Sequence, residues 1–183
     1  KIVKDTSVEG GKKVTWDCIW FGSYPQTKIV SSSKENDLYS TLETANGWDK
    51  NNDIIIGKEK YHRAKKSYFK YEPIKWRVLD DQTNTGESGL FLLSDALLGA
   101  GRYGDVYFDN SGNTSNAWQS STAKTWCNNF YGSSFSNGEQ GAVLATTKSD
   151  EALSTGGISF AASENILNGD KVFFLSAEEA ENS

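Results

Sequence analysis

The sequence EPIKWRVLDD, residues 72–81, followed after a polar interval by GLFLLS, residues 89–94, decides the fold. Ile74, Trp76 and Val78 alternate with the residues between them, which is the period of a half-buried strand. Pro73 fits the first position of such a strand, where no ladder hydrogen bond is lost. The interval consists of turn formers, and the second segment is apolar enough for a central strand. The pattern predicts a β-hairpin at the centre of a sheet.

Two further regions predict strands of the same sheet. Residues 53–56 and 60–64 predict a second, smaller hairpin around Gly57. Residues 14–21 predict a strand with one apolar face, which we expect to be buried. That face carries Val14, Trp16, Cys18 and Trp20.

One strongly amphipathic helix is predicted over residues 121–131. Ser120 or Ser121 can cap its N-terminus, and its apolar residues recur at helical spacing. They are Ala123, Trp126, Cys127 and Phe130. Short strands without a βαβ rhythm predict an α+β fold, in which this helix packs on one face of an antiparallel sheet with long surface loops. We expect a single domain over residues 13–183, preceded by a linker or ragged N-terminus over residues 1–12.

The C-terminal sequence predicts a domain that is cut short. Residues 171–176 predict a last strand, and residues 176–179 form a capping box, but Ser183 ends the chain after about two helical turns. Lys1 is not a translation start, so we expect a piece of a longer protein. A missing C-terminal segment, or a second copy of the chain, is therefore expected to complete the fold.

Composition and residue counts exclude several classes of protein. The formal net charge of -5 argues against nucleic acid as a partner, and no apolar run is long enough for membrane insertion. His62 is the single histidine and lies in an exposed-looking basic strand, so it offers no base for a cysteine nucleophile. One histidine and two distant cysteines also cannot supply four zinc ligands. We therefore predict no enzymatic activity and no cofactor.

A weak calcium candidate lies before the second hairpin. Asp49, Asn51 and Asp53 have the D-x-N-x-D spacing that begins an EF-hand loop. The glycine position of that loop is Ile54, however, and the position of the bidentate glutamate is Lys60. A turn rich in Asp and Asn before a strand explains the same residues.

Cys18 and Cys127 both lie among aromatic residues. They are either two buried free thiols or a disulfide formed in an oxidising compartment. We expect both to be buried and close together. Cα atoms more than about 7 Å apart would exclude a disulfide.

The chain is rich in aromatic residues, with six Trp, eight Tyr and nine Phe. Four of them lie in predicted loops: Trp48, Tyr103, Tyr107 and Trp118. They either stack on a sugar or contact a partner protein, or they anchor the loops on the core.

Five motifs, in order, resemble those of a domain of unknown function in secreted and surface proteins of Gram-positive anaerobic bacteria. They are WDCIWFGSYPQ at residues 16–26, PIKWRVL at 73–79, LFLLS at 90–94, TWCNNFY at 125–131 and KVFFLSAEEA at 171–180. The layout of such domains is similar to C-type lectin-like and formylglycine-generating-enzyme-like folds. This resemblance implies ligand binding, without established catalytic residues.

These observations predict an extracellular ligand-binding module of a secreted or cell-surface bacterial protein. Its ligand would be a carbohydrate or a partner protein, contacted by the aromatic loop residues. The alternative is a structural spacer domain with no ligand of its own.

Overall fold

The computed structural model describes residues 2–4, 12–31, 36–80, 89–98, 118–148, 153–155, 158–160 and 167–175. The chain divides into two compact units, Lys1–Leu98 and Gly99–Ser183. The described elements of the first unit are β1 (Ile2–Lys4), β2 (Lys12–Val14), β3 (Cys18–Ile29), α1 (Asn36–Thr44), β4 (Asp53–Ile56), β5 (Glu59–Ala64), β6 (Ser67–Asp80) and β7 (Phe91–Ser94).

A five-stranded antiparallel sheet forms the centre of the first unit. Its order is β3-β6-β5-β4, and β7 also pairs with β6. Both predicted hairpins are present, and the α+β class with an antiparallel sheet is confirmed. The strands β1 and β2 form a separate small antiparallel pair, of which β1 lies in the region predicted as a linker. Val14 belongs to β2 and not to β3, so the strand predicted over residues 14–21 begins only at Cys18.

The central strand β6 is longer than predicted, because it begins at Ser67 rather than near Pro73. One of its edges is shared by two short strands. The pairing with β5 extends to Lys70 and that with β7 starts at Trp76. Neither strand therefore pairs with residues 71–75, and Pro73 lies in the middle of this gap. The prediction that Pro73 begins the strand was therefore wrong. The proline is still tolerated for the predicted reason, because no neighbouring strand at this point needs the N–H that proline lacks.

Strand β3 continues through residues 22–26, although glycine and proline, both typical of turns, occur there as Gly22 and Pro25. The register with β6 shifts between Trp20 and Ser23, and again between Pro25 and Thr27. Each shift places one extra residue on β3, which is a β-bulge. Gly22 lies in the first bulge with φ 73°, a conformation that favours glycine.

The core of the first unit lies between the sheet and α1. Its buried residues are Ile29, Leu42, Tyr61 and Tyr68. Leu38 and Tyr39 of α1 pack against them, and Tyr39 meets Tyr68 edge to face with ring centroids 5.3 Å apart. This contact fixes one face of the sheet as the buried face.

The second unit has a helical centre with short strands. Its described elements are a 3-10 turn (Trp118–Ser120), α2 (Thr122–Ser134), α3 (Asn137–Ala142), β8 (Thr146–Lys148), β9 (Leu153–Thr155), β10 (Ile158–Phe160) and β11 (Leu167–Asp170). Strand β9 pairs with β10, and β8 pairs with β11. No helix among these described segments, or in the first unit, is long and apolar enough to cross a membrane.

The predicted helix is confirmed as α2. The Ser121 side chain caps it by accepting from the Lys124 N–H at 3.0 Å, and Ala123, Cys127 and Phe130 are buried on one side. That side packs against Leu167 and neighbouring residues of the same unit. The predicted strand over residues 171–176 is wrong where it is described, because residues 171–175 follow β11 as an irregular segment.

Candidate functional site

The two faces of β6 have different surroundings. Tyr68 and Ile74 point to the same side of the strand and are buried. Tyr71, Lys75 and Arg77 alternate with them and point to the opposite side. We call the surface formed by Trp20, Tyr71, Lys75, Arg77 and Asp95 the open face.

Trp20 belongs to the open face because it is the direct cross-strand partner of Lys75. Trp20 is 66% exposed, and Trp16 is 40% exposed. Cys18, the partner of Arg77, is also exposed. The prediction that this side of β3 is buried was wrong. Ile19 and Phe21 make the other side of the strand apolar as well, so alternation alone could not decide which side faces the core.

The gap between β5 and β7 opens into a cleft of about 730 Å³ beside Pro73. Because the sheet is interrupted there, residues from both of its faces line the cleft. They are Trp20, Gln26, Glu59, Lys70, Tyr71, Glu72, Pro73, Lys75, Asp95, Ala96 and Leu98. The walls therefore combine aromatic rings with carboxylate, amide and ammonium groups.

Two cations share the carboxylate of Asp95; Lys75 and Asp95 line the cleft, whereas Arg77 is not part of its lining. Lys75 Nζ lies 3.2 Å from Asp95 Oδ2, and Arg77 Nε donates to Asp95 Oδ1. The Asp95 N–H also donates to the Lys75 carbonyl at 2.9 Å, which holds the residue after β7 against β6. Hydrogen bonds from Arg77 and then Lys75 lower the pKa of Asp95, so its carboxylate remains ionised in mildly acidic solution.

A second cluster, Asp53 with Lys60, His62 and Tyr71, lies on the same side of the sheet. The Asp53 carboxylate is buried and has three partners: Lys60 Nζ at 2.8 Å, His62 Nδ1 at 2.8 Å and the Tyr71 hydroxyl at 2.9 Å. Burial, and then the hydrogen bond to Asp53, raise the pKa of Tyr71, which remains a neutral donor. Lys60 Nζ also lies 4.1 Å from the Tyr71 ring centroid. These contacts hold Tyr71 in place as a wall of the cleft.

The weak calcium candidate has the geometry of a turn. Asp49 Oδ1 accepts the N–H groups of Asn51 and Asp53, each at 2.8 Å, and these bonds help to lower the pKa of Asp49. The Asp53 carboxylate instead faces Lys60 and His62. Within the described residues, no three His, Cys, Asp or Glu side chains are grouped as metal ligands. The arrangement matches the Asx turn that the sequence offered as the other explanation.

Of the four loop aromatics predicted to contact a ligand, two lie in described segments. Trp48 stacks on Tyr68 with ring centroids 5.8 Å apart, and its indole N–H donates to the Ala45 carbonyl at 3.1 Å. Trp118 is 4% exposed and packs edge to face on Phe174. Tyr103 and Tyr107 lie outside the described residues. Trp48 and Trp118 thus make the packing contacts expected of aromatic residues that anchor loops.

Both cysteines are free thiols in the structure, and only Cys127 is buried. The prediction of two buried cysteines is therefore wrong for Cys18. Burial, and then the negative charge of Asp170, raise the pKa of Cys127 to about 12. A thiol with this pKa remains protonated at neutral pH, so Cys127 is a packing residue rather than an activated nucleophile.

A family model for a domain of unknown function, DUF6273, matches residues 87–183, which is more than half of the chain. The chain belongs to this family. The DUF6273 match includes the whole second unit and also β7 with Asp95, whereas β3, β4, β5 and β6 precede it. Comparisons with curated proteins and with solved structures find no match. Membership of DUF6273 names no activity, so function has to be inferred from the open face and its cleft.

Sequence reasoning did not identify the residues of the open face as a site. The alternation of Lys75 and Arg77 with apolar neighbours was a usable signal, because it marks the side of β6 that faces away from the core. Their proximity to Trp20 and Asp95 depends on the strand register, which joins residues far apart in the chain. No local pattern encodes that proximity.

Proposed function

We propose that this chain is an extracellular ligand-binding module of a bacterial secreted or surface protein, and that it binds carbohydrate at the open face of the first unit. The observation that carries the proposal is the exposed Trp20 ring at the edge of a cleft with polar walls. The exposed ring is free to contact a ligand, and an aromatic ring beside convergent polar groups is typical of a ligand site.

The chemistry of the cleft suits a sugar. A pyranose has C–H groups that pack on an aromatic ring and hydroxyl groups that need donors and acceptors. Trp20 offers the ring, and Tyr71 gives a second wall that Asp53 and Lys60 hold in place. Asp95 and Lys75 offer an acceptor and a donor on the cleft wall.

The extracellular location rests on the resemblance given by the sequence motifs. Two of those motifs, residues 16–26 and 73–79, lie before the DUF6273 match and contain Trp20, Lys75 and Arg77. A domain shared by secreted and surface proteins of Gram-positive bacteria, with a C-type lectin-like layout, would be consistent with glycan binding. Both of these finer assignments are part of the proposal.

A glycan array with the full chain and a matched pair of variants tests the proposal. Trp20→Ala removes the ring at the cleft and is expected to abolish binding of the glycans that the unmodified chain retains. Trp16→Ala removes another exposed indole that is not part of the cleft lining, and it is expected to leave binding unchanged. A folded chain that binds no glycan, or equal losses in the two variants, would contradict the proposal and favour the structural spacer.

A further inference from the structure

The charge distribution on the open face points to the class of carbohydrate. Trp20 and Lys75 are direct cross-strand partners, and Arg77 lies two residues further along the same side of β6. Direct partners in a sheet have Cβ atoms about 5 Å apart, and diagonal ones about 7–8 Å. The exposed indole is therefore flanked by two cationic side chains, one adjacent and one diagonal to it.

These two cations exceed the negative charge that balances them. Asp95 is their common partner, so the cluster of Lys75, Arg77 and Asp95 carries one net positive charge. Arg77 donates a hydrogen bond from Nε to the Asp95 carboxylate and one from Nη2 to the Asp95 carbonyl at 3.5 Å. A guanidinium has five N–H donors, so these bonds orient the group and leave further donors for another acceptor.

The stability of the protein does not explain this cluster. Lys75 and Arg77 are 41% and 38% exposed, and ion pairs at that level of exposure contribute little to folding. A carboxylate that fixes two cations beside an exposed ring instead prepares them for an anion.

The other carboxylates of the cleft do not cancel this positive charge. Glu59 pairs with Lys70 at 3.3 Å, and Glu72 Oε2 accepts the Thr27 hydroxyl at 2.7 Å. Lys70 and Glu72 alternate with Tyr71 and Lys75 along β6, so they point to the other side of the sheet. Glu59 and Glu72 are therefore separated from the positive cluster of Lys75, Arg77 and Asp95.

We propose that the ligand of the open face is an acidic carbohydrate, whose carboxylate binds Lys75 and Arg77 while its ring stacks on Trp20. This inference rests on the proposed function and adds the chemical class of the sugar. The arrangement requires a ring with a carboxylate substituent, as in a uronic acid. A bidentate Arg–carboxylate contact would supply most of the discrimination.

The test is titration calorimetry of the full chain against a panel of oligosaccharides that contain uronic or sialic acids, each paired with its neutral methyl ester. The acid is expected to bind about tenfold more tightly than its ester, the effect of one charge-assisted hydrogen bond. Added salt should weaken binding of the acid and leave the ester unchanged. Lys75→Gln and Arg77→Gln should each reduce the preference for the acid.

Lys66→Gln is the matched control, because Lys66 is exposed in the turn between β5 and β6 and is not part of the cleft lining. It should retain the full preference, and circular dichroism should show that all variants are folded. Equal binding of acid and ester, with Trp20→Ala abolishing both, would overturn this inference and leave the proposed function standing. An equal loss in Lys66→Gln would overturn it too, by showing non-specific attraction. Failure to bind any acidic or neutral glycan would overturn both.

Discussion

The two units place the same three kinds of residue in opposite surroundings. In the first unit, Trp20 and Cys18 are exposed beside the ion pair of Asp95 and Lys75. The second unit has Trp118 and Cys127 in one buried cluster, close to the ion pair of Asp170 and Lys124. Residue type therefore does not distinguish a core from a surface site in this chain. The difference lies in whether another element covers the side of the strand or helix that carries them.

The two ion pairs make the contrast quantitative. Lys124 Nζ lies 2.9 Å from Asp170 Oδ1, with side chains 19% and 2% exposed. Lys75 lies 3.2 Å from Asp95, and both are far more exposed. Low exposure strengthens the attraction and raises the cost of losing one partner, whereas water screens an exposed pair. The four predictions below test this contrast, starting with the largest expected effect.

The largest difference in stability is expected between variants of the two tryptophans. Trp118→Ala empties a site in the buried cluster and should reduce the free energy of unfolding by about 3–5 kcal/mol. Trp20→Ala should change it by less than about 0.5 kcal/mol, because the indole is largely in water already. Urea denaturation followed by circular dichroism measures both. Similar losses for the two variants would show that Trp20 is covered in solution.

The next effect concerns the cations of the two ion pairs. Lys124→Met should cost about 3 kcal/mol of unfolding free energy, since it leaves the buried Asp170 carboxylate without its cation. The matched change Lys75→Met should leave the urea midpoint nearly unchanged. If Lys124→Met leaves the free energy of unfolding unchanged, Asp170 and Lys124 do not form a buried ion pair.

A smaller change in stability is expected when the pH is lowered. Burial alone would raise the pKa of Asp170, but the Lys124 ammonium, the Asn168 N–H and Trp118 outweigh it, so the pKa is lowered. A lowered folded-state pKa gives stability that is present above the unfolded value of about 3.9 and is lost as pH falls through the folded value. The urea midpoint should therefore decrease below about pH 4. Asp170→Asn should be less stable at neutral pH and should show a smaller decrease. An identical pH profile for the variant would contradict this prediction.

The last prediction concerns how far solvent and reagents reach the two cysteine thiols, and it involves no change in stability. Cys18 is exposed, whereas burial keeps the Cys127 thiol protonated and covered. A thiol reagent such as Ellman's reagent should modify one cysteine per native chain and two in urea. Cys18→Ser should remove the native reaction. Modification of Cys127 in the native chain, or failure of Cys18 to react, would reverse the assignment of the exposed and buried thiol.

Local patterns predicted the fold to the extent that it depends on local chemistry. The serine cap and apolar spacing of α2, and the turn at Gly57, act over a few residues, so the helix and both hairpins could be predicted. The exposed side of β3 could not, because both of its sides are apolar and the choice depends on where α1 packs. The site was missed for a related reason. Trp20 meets Lys75 through strand pairing across more than fifty residues, and two bulges alter the register of that pairing further along β3.

The proline in the gap of β6 has a consequence for how the chain behaves beside other copies. An interrupted sheet edge offers unpaired backbone groups that an extended segment of another protein could recruit, which is one route to aggregation. Pro73 has no N–H to offer at that point, and the ends of β5 and β7 limit the gap to five residues. A foreign strand would find too few donors, and too little length, to pair there. The cleft can therefore stay open to small molecules without also becoming a site for fibril growth.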